Sequence, residues 1–355
     1  MNFREYRKKE GHKMKANYLR KLGALLLAMM LVFAAGACGS EKENTTSAGT
    51  EASTAVSGGN AAEIRVGSLK GPTTMGLVNL MKASEQGKAE GKYKFTMETQ
   101  PDVIAAGVVS GDFDIALVPA NLAAVLYKKT EGKVKVLAIN TGGVLECVTG
   151  SDNITSVKDL AGKTVYSTGQ GATPEYALKF LLDKYGVTDC SIEFKSEATE
   201  IASLLAEDPS KIAILPQPFA TVAQVQNDKV KSVFNLTDEW QKLGLDSQLI
   251  TGVTIVRSEF LEKNPDAVKL FIKEASSSAE SAVSDVDGTA ALIAEYGIIE
   301  KEPVAKKALP SCHISAITGT EMKTIVSGYL QTLFDQDPKA VGGAMPADDF
   351  YYTGE

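Results

Sequence analysis

The sequence predicts an α/β fold of two similar lobes, each with a mostly parallel sheet flanked by helices. Three observations support this prediction. Short apolar runs alternate with amphipathic stretches, which is the order that parallel sheets covered by helices require. The same order of parts occurs twice along the chain. After a distinct N-terminal segment, about 290 residues remain, which is enough for two hydrophobic cores.

The N-terminal segment has the order of a secretory signal. Eight basic residues precede an apolar run from Leu22 to Ala37, and we therefore assign residues 1–37 to a signal peptide. The small residues Ala35-Gly36-Ala37 stand directly before Cys38 and resemble a bacterial lipobox, so we expect Cys38 to be lipidated. An uncleaved membrane anchor is the alternative. Met14 is an alternative start codon.

Residues 38–61 are predicted to form a flexible linker. After the cysteine they contain one large apolar residue, Val56, and they are rich in Ser, Thr, Gly, Glu and Ala. Such a segment cannot bury enough apolar surface to fold, but it can tether a folded body to a lipid. The sequence therefore predicts an extracytoplasmic protein that is anchored to the cell membrane through Cys38.

The charge of the mature chain limits its partners. Without residues 1–37 the chain has 29 basic and 42 acidic residues, which is a net charge of −13. Nucleic-acid binding needs a basic surface for the phosphates. We therefore exclude a nucleic-acid partner.

The cysteines indicate neither a metal site nor a cofactor. Besides Cys38 the chain has Cys147, Cys190 and Cys312, and none of them stands in a CxxC spacing. We predict buried, unpaired thiols, with one disulfide among the three as the alternative.

Strands and helices follow from the apolar patterns. The predicted strands are residues 64–69, 114–118, 134–139, 163–167, 212–215 and 252–256. Apolar residues at helical spacing predict helices between most of them. Near the C-terminus, a stripe at the same spacing predicts an amphipathic helix on the first lobe: Met322, Ile325, Val326, Tyr329, Leu330 and Leu333.

The repeat consists of a strand, a turn with Thr and Pro that opens a helix, and a second strand that ends in proline. Pro72 and Pro119 are 47 residues apart in the first half, and Pro174 and Pro216 are 42 residues apart in the second. We infer two lobes of matching architecture. The alternative is that any chain of alternating strands and helices shows such a likeness.

Four strand ends are followed by residues suited to a helix start: Gly71-Pro72, Ala120-Asn121, Thr173-Pro174 and Gln217-Pro218. Proline is favoured at the first helical position, and Thr or Asn can cap free backbone N–H groups. Helix starts present N–H donors and the positive end of the helix dipole. Ligands of open α/β sheets bind beyond the carboxyl ends of the strands. We therefore predict that the four starts face one cleft.

The candidate binding side chains are polar and mostly uncharged: Lys70, Thr73, Thr74, Asn121, Gln170, Thr173 and Gln217. Capping or turn chemistry is the alternative for each. Trp240 and Tyr176 are aromatic candidates for stacking on a ligand. Arg65 and Arg257 lie within predicted strands away from these turns, so we do not expect a bidentate arginine clamp.

Five segments carry a family resemblance: GSLKGPTTMGLVNLM, VPANLA, INTGGV, GKTVYSTGQGATPEYAL and LPQPFATVAQ. They resemble the ABC-importer substrate-binding proteins grouped with nitrate, sulfonate, taurine and thiamine-pyrimidine binders, the SsuA/THI5-like and NMT1-like proteins. The resemblance extends from residue 62 to about residue 352. It implies a type II periplasmic-binding-protein fold, with residues 62–150 and 250–355 in lobe 1 and 151–249 in lobe 2.

The resemblance also implies a site and a function. Ligand contacts are expected at the loops with residues Lys70 to Thr74, Asn121, Thr141, Gly169 to Thr173 and Gln217. A small polar solute would be captured by hinge closure and delivered to a permease with its ATPase, by a monomer without a cofactor. The family's anion binders use charged groups, and here Lys70 is the main candidate, so an anionic solute is in doubt.

Two alternatives from other classes remain. Related two-lobe folds include pyrimidine synthases, but His313 directly follows Cys312, and adjacent side chains seldom face each other as a catalytic dyad. A module that binds a ligand for sensing would have the same sequence features.

Overall fold

The computed structural model describes residues 62–354. The predicted signal peptide, the lipidation site Cys38 and the linker lie outside the described residues. Within residues 62–354, no helix combines the length and the apolar character needed to cross a bilayer.

Eleven strands are described: β1 (Glu63–Leu69), β2 (Lys92–Glu98), β3 (Ile115–Pro119), β4 (Val134–Gly142), β5 (Leu145–Thr149), β6 (Thr164–Ser167), β7 (Ser191–Phe194), β8 (Ile212–Pro216), β9 (Lys231–Asn235), β10 (Ile250–Arg257) and β11 (Ile314–Thr318).

The described helices are α1 (Pro72–Met75), α2 (Val78–Glu85), α3 (Pro101–Ser110), α4 (Ala120–Lys129), α5 (Thr173–Lys184), α6 (Ala198–Glu207), α7 (Phe219–Gln226), α8 (Leu236–Gln241), α9 (Ser258–Lys263), α10 (Pro265–Ser284), α11 (Val286–Glu295), α12 (Glu302–Ala308) and α13 (Gly319–Gln336). Short 3-10 turns occupy Val157–Leu160, Leu309–Ser311, Pro338–Val341 and Asp348–Phe350.

These strands form two sheets, and each sheet is mixed. The first has the order β11-β4-β10-β3-β1-β2, and the second has the order β7-β6-β8-β5-β9. Parallel pairs surround β1 and β6. The pairs around β10 and β5 are antiparallel, because these two strands enter their sheets directly from the other lobe. The predicted α/β class is confirmed, with fewer parallel pairs than the sequence analysis expected.

The chain crosses between the sheets twice. It leaves the first sheet at Gly142 and joins the second at Leu145, and it returns to the first sheet at Ile250. The sequence analysis placed residues 143–150 in lobe 1. The structure places β5 in the second sheet instead, since β5 pairs with β8 on one side and β9 on the other. We call residues 62–142 and 250–354 lobe 1 and residues 145–249 lobe 2.

Apolar packing continues from one lobe to the other. Trp240 of lobe 2 has no exposed surface and lies between Phe180 of the same lobe and Tyr329 on α13 of lobe 1. On the opposite flank, Met75 of α1 belongs to one buried cluster with Phe219 of α7. Buried apolar residues of both lobes therefore belong to common clusters.

The cysteines of residues 62–354 are free thiols, as predicted. Cys147 and Cys312 are buried, and Cys190 is half-buried. Burial raises the pKa of Cys190 to about 11. Burial also raises the pKa of Cys147 and Cys312.

Candidate functional site

The β1–α1 turn forms one part of the lobe 1 surface. Gly71 has a φ of +145°, which side chains rarely adopt, and Pro72 follows in the first turn of α1. The Thr73 hydroxyl donates to the carbonyl of Leu69 at 2.9 Å. Thr74 is bonded to the same end of β1. Both threonine side chains therefore stabilise the turn.

Lys70 differs from its neighbours in this turn. Its side chain is exposed, while its backbone N–H donates to the carbonyl of Glu98 at 2.8 Å. The turn thus combines the buried hydroxyls of Thr73 and Thr74 with the exposed cation of Lys70.

The end of β4 lies beside this turn. The Thr141 hydroxyl donates to Asn140 Oδ1 at 2.8 Å, and Thr141 pairs with Gly252 of β10. A Cβ atom at Gly252 would stand 2.8 Å from the Thr73 methyl and 2.5 Å from Asn140 Oδ1. The absence of a side chain at Gly252 allows Thr73 and Thr141 to lie together.

Asn121 connects the two lobes directly. Its side chain is 1% exposed, and its Nδ2 group donates to the carbonyl of Gly171 in lobe 2 at 3.1 Å and to the carbonyl of Ala340 at 3.3 Å. Both partners are carbonyl oxygens, which fixes the orientation of the amide. Asn121 Oδ1 therefore points elsewhere, and it has no hydrogen-bond partner within residues 62–354.

The β6–α5 turn faces Asn121 from lobe 2. Gly169 and Gly171 have φ values of +71° and +73°, the left-handed conformation that favours glycine. The Gly171 N–H donates to Glu175 at 2.6 Å, and Gln170 is exposed. Thr173 is fully buried, and its hydroxyl has no hydrogen-bond partner in the described part of the chain.

Gln217 lies where β8 meets α7 and touches the first crossover. Its Oε1 accepts a hydrogen bond from the Thr221 hydroxyl at 2.9 Å, and its backbone N–H donates to the carbonyl of Val144 at 2.8 Å. Half-buried Glu146 is a neighbour. Burial raises the pKa of Glu146, while hydrogen bonds from Ser232 and Gln217 and the charge of His313 oppose this shift.

Trp240 is not brought to the turns. Its indole N–H donates to the carbonyl and the hydroxyl of Ser247, at 3.2 and 3.1 Å. Its ring centroid is 4.2 Å from that of Phe180. The indole is enclosed and its polar group is already bonded, so we do not count Trp240 among the groups at the turns.

Tyr329 was missed as a polar group at this junction. Helical spacing placed it in an apolar stripe, and the ring is indeed fully buried. Its hydroxyl has no partner at hydrogen-bond geometry within residues 62–354, although the Thr173 hydroxyl is close enough to affect its pKa. Nothing in the sequence pattern separates this tyrosine from a core residue.

Arg65 and Arg257 are engaged away from the turns. Arg65 forms a bidentate pair with Asp114, with an Nε to Oδ2 distance of 2.8 Å, and Arg257 binds Glu259 at 2.9 Å. Within the described residues, no group of three or more His, Cys, Asp and Glu side chains could hold a metal ion. The strand ends of the two lobes thus present mainly uncharged hydrogen-bonding groups.

A comparison with family models decides the family. The model described as NMT1/THI5 like matches residues 98–287, which is more than half of the 355 residues. The chain belongs to the NMT1/THI5-like family. This membership confirms the resemblance that the sequence motifs indicated. A comparison of this chain with curated proteins found no match.

Solved structures resemble the NMT1/THI5-like protein at low sequence identity. An ABC transporter protein from Parabacteroides distasonis is 22% identical with a TM-score of 0.69, over 82% of this chain and 99% of that chain. The periplasmic aliphatic sulphonate binding protein from Escherichia coli is 16% identical with a TM-score of 0.64, over 82% and 92%. The alkanesulfonate-binding protein from Xanthomonas axonopodis pv. citri, bound to MOPS, is 15% identical with a TM-score of 0.61, over 81% and 95%. The NMT1/THI5-like protein therefore has the type II periplasmic-binding-protein fold.

Proposed function

We propose that this NMT1/THI5-like protein is the extracytoplasmic solute-binding component of an ABC importer. It binds a small polar solute between the lobes and presents it to a permease with its ATPase. The observation that carries the proposal is the convergence of polar groups from both lobes, where Asn121 of lobe 1 is bonded to Gly171 of lobe 2. The structural neighbours, an ABC transporter protein and two sulfonate-binding proteins, agree with this role.

The solute site consists of the turns at the strand ends. Lobe 1 contributes Lys70, Gly71, Pro72, Thr73, Thr74, Asn121 and Thr141, and lobe 2 contributes Gly169, Gln170, Gly171, Thr173 and Gln217. Hydroxyls, amides and backbone N–H groups discriminate between solutes, because a wrong solute leaves polar atoms unpaired and therefore binds more weakly. Trp240 is not part of this set.

Binding is coupled to closure of the two lobes. The crossovers at residues 142–145 and 249–250 are the covalent connections between the sheets, and rotation about them opens or closes the cleft. Asn121 can reach the carbonyl of Gly171 only when the lobes are together. Closure expels water and brings polar groups of both lobes onto the solute.

The same proposal includes an anchor at the cell membrane. Signal cleavage before Cys38 and lipidation of this residue leave residues 39–61 as a tether. The protein acts as a monomer beside its permease.

The proposal is binding without chemical change of the solute. A synthase on the same fold would need reactive groups that face a substrate. Cys312 Sγ contacts the carbonyl of Ala308 at 3.3 Å, whereas His313 Nδ1 contacts the carbonyl of Gly143 at 2.5 Å. These two residues point in different directions and do not form a dyad.

Thermal unfolding of the mature chain with candidate solutes tests the proposal. The panel contains aminopyrimidines, sulfonates, nitrate, amino acids and sugars. A compound at a hundred times its dissociation constant should add about 2.7 kcal/mol of stability. We expect one class to raise the midpoint, and we expect Thr173→Ala combined with Gln217→Ala to abolish the rise.

The matched control is Thr199→Ala, which removes an exposed hydroxyl of lobe 2 outside the turns. This variant should keep the full stabilisation. A panel in which no compound raises the midpoint of the wild-type chain would contradict the proposed function.

A further inference from the structure

We propose that His313 is a positioning residue for lobe closure: its imidazole binds the first crossover and holds lobe 2 in the closed position. This inference rests on the proposed function, because it concerns the closure that solute binding uses. It adds a residue of lobe 1 that sets the balance between the open and the closed form.

The first crossover joins β4 to β5, and its two ends belong to different lobes. Gly142 pairs with Ile250 in the first sheet. The carbonyl of Val144 accepts a hydrogen bond from the backbone N–H of Gln217 in lobe 2 at 2.8 Å. Gly143 lies between these two fixed ends. Rotation within this crossover must therefore take place at the backbone bonds around Gly143.

His313 of lobe 1 is bonded to both sides of this pivot. It lies directly before β11, and its backbone carbonyl accepts a hydrogen bond from the Gly142 N–H at 2.9 Å. Its ring Nδ1 contacts the carbonyl oxygen of Gly143 at 2.5 Å. A peptide unit is planar, so this oxygen moves with Val144 and therefore with lobe 2. The ring of His313 thus connects lobe 1 to the part of the crossover that belongs to lobe 2.

Close packing surrounds the same glycine on its other side. A Cβ atom at Gly143 would overlap the Thr237 hydroxyl of α8 and would stand 3.1 Å from the carbonyl of Leu249, which lies directly before β10. The absence of a side chain at Gly143 therefore lets both crossovers and α8 of lobe 2 meet at one point, next to the contact with His313.

The backbone of His313 adopts an unusual conformation at this point. Its φ is +42°, in the left-handed region that residues with a side chain rarely adopt. Such a conformation costs free energy and persists where the surrounding structure requires it. Here it places the carbonyl and the ring of one residue on two consecutive peptide units of the crossover.

The chemistry of this contact defines which substitutions test it. A carbonyl oxygen only accepts, so Nδ1 of His313 must carry a proton. The charge of His313 also reaches Glu146 of β5, where it opposes the effect of burial on the pKa of the carboxyl group. Asparagine tolerates a positive φ and can place an amide N–H near the position of Nδ1, whereas glycine tolerates the φ without any donor.

The first experiment observes His313 directly. After residue 37 the chain contains one histidine, so the mature chain labelled with nitrogen-15 histidine gives a single imidazole signal set. We expect NMR at about pH 8, above the ordinary pKa of histidine, to show the proton on Nδ1. A neutral ring that carries its proton on Nε2 overturns the inference, because such a ring cannot donate to Gly143.

The second experiment measures closure through Trp240, which is the single tryptophan of the chain. The indole has no exposed surface and lies between Phe180 of lobe 2 and Tyr329 of lobe 1. Separation of the lobes removes Tyr329 and exposes the indole to water. Acrylamide quenching of its fluorescence, without solute and well below the unfolding midpoint, therefore reports the open fraction.

We expect His313→Gly to raise the ratio of open to closed form by about two- to tenfold, which is the effect of one hydrogen bond on an equilibrium. His313→Asn should be quenched like wild type. The matched control is Thr320→Ala, which removes an exposed hydroxyl of lobe 1 away from the crossover and should also be quenched like wild type.

Two results of the quenching experiment overturn the inference. If His313→Gly is quenched like wild type, the contact does not hold the lobes together, even where this variant unfolds at a lower temperature. If His313→Asn is quenched as strongly as His313→Gly, the donor to Gly143 is not what matters.

The two proposals can fail separately, because neither measurement contains a solute. If Nδ1 carries the proton and His313→Gly opens the lobes while no compound of the panel stabilises the wild-type chain, only the proposed function is contradicted. If a compound stabilises the wild-type chain while His313→Gly is quenched like wild type, only the role of His313 is contradicted.

Discussion

The side-chain amide of Asn121 in lobe 1 donates to the backbone carbonyl of Gly171 in lobe 2 across 3.1 Å. The same amide also donates to the backbone carbonyl of Ala340. One residue in the first turn of α4 thus connects the β6–α5 turn of the other lobe with the segment that follows α13.

We expect Asn121→Ala to lower the free energy of unfolding by about 1–2 kcal/mol, since the carbonyls of Gly171 and Ala340 lose their donor. The substitution should also lower the affinity for any solute that stabilises the wild-type chain. Urea unfolding and titration of that solute measure the two effects. Asn153→Ala, on an exposed loop of lobe 2, is the control and should change neither. Unchanged stability in Asn121→Ala would mean that the inter-lobe hydrogen bond contributes nothing in solution.

Trp240→Phe should lower stability without a matching loss of solute affinity. The substitution leaves the Ser247 carbonyl without the indole donor and reduces the packing against Phe180. We expect a loss of about 1–3 kcal/mol in urea unfolding, with the dissociation constant of the stabilising solute within about threefold of wild type. If the dissociation constant of the solute rises tenfold or more in Trp240→Phe, then Trp240 belongs to the solute site.

The pH dependence of stability should show the effect of the raised pKa of Glu146. Burial raises its pKa in the folded chain, so its ionisation is less favourable there than in the unfolded chain. This group therefore costs stability as the pH rises from its unfolded pKa through its folded pKa. Glu146→Gln should have a higher unfolding midpoint than wild type at pH 7, and the difference should vanish below about pH 4.

The control for Glu146 is Glu193→Gln on β7, an exposed carboxylate that should show no such difference. If Glu146→Gln is less stable than wild type at pH 7, the hydrogen bonds that Glu146 accepts from Ser232 and Gln217 outweigh its burial.

The two glycines of the β6–α5 turn provide a matched pair. Both have left-handed φ values, so alanine costs about 1–2 kcal/mol at either position. A Cβ atom at Gly169 would also stand 3.0 Å from the Pro174 ring, whereas one at Gly171 would have no atom within 4 Å. We expect Gly169→Ala to lose more stability than Gly171→Ala in urea unfolding. Equal losses would show that the start of α5 shifts to make room for the methyl group added at residue 169.

The strands that were predicted from the sequence are interior strands. In β3 all five residues are buried, because neighbours cover both faces, and this burial selects a continuous apolar run. At the sheet edge, β2 reads KYKFTME, is only partly buried and was missed. A half-exposed strand keeps polar residues, and its sequence then resembles that of a loop.

The residues of β5 were placed in the wrong lobe for a different reason. Its apolar residues are evident in the sequence, but the sheet to which a strand belongs depends on its partners. Pairing with β8 and β9 places β5 in lobe 2, and the first crossover therefore precedes it.

The sequence by itself determined the α/β class, the family and the turns that join strands to helices, because apolar period, proline placement and glycine turns are local properties of the chain. The tertiary structure alone decided which polar atoms are already bonded. It showed that Trp240 is enclosed, that Gln217 Oε1 is bonded to Thr221, and that Asn121 is bonded across the lobes to Gly171. Hydrogen-bond partners distant in sequence are chosen by the packing of whole elements, and no local pattern records that choice.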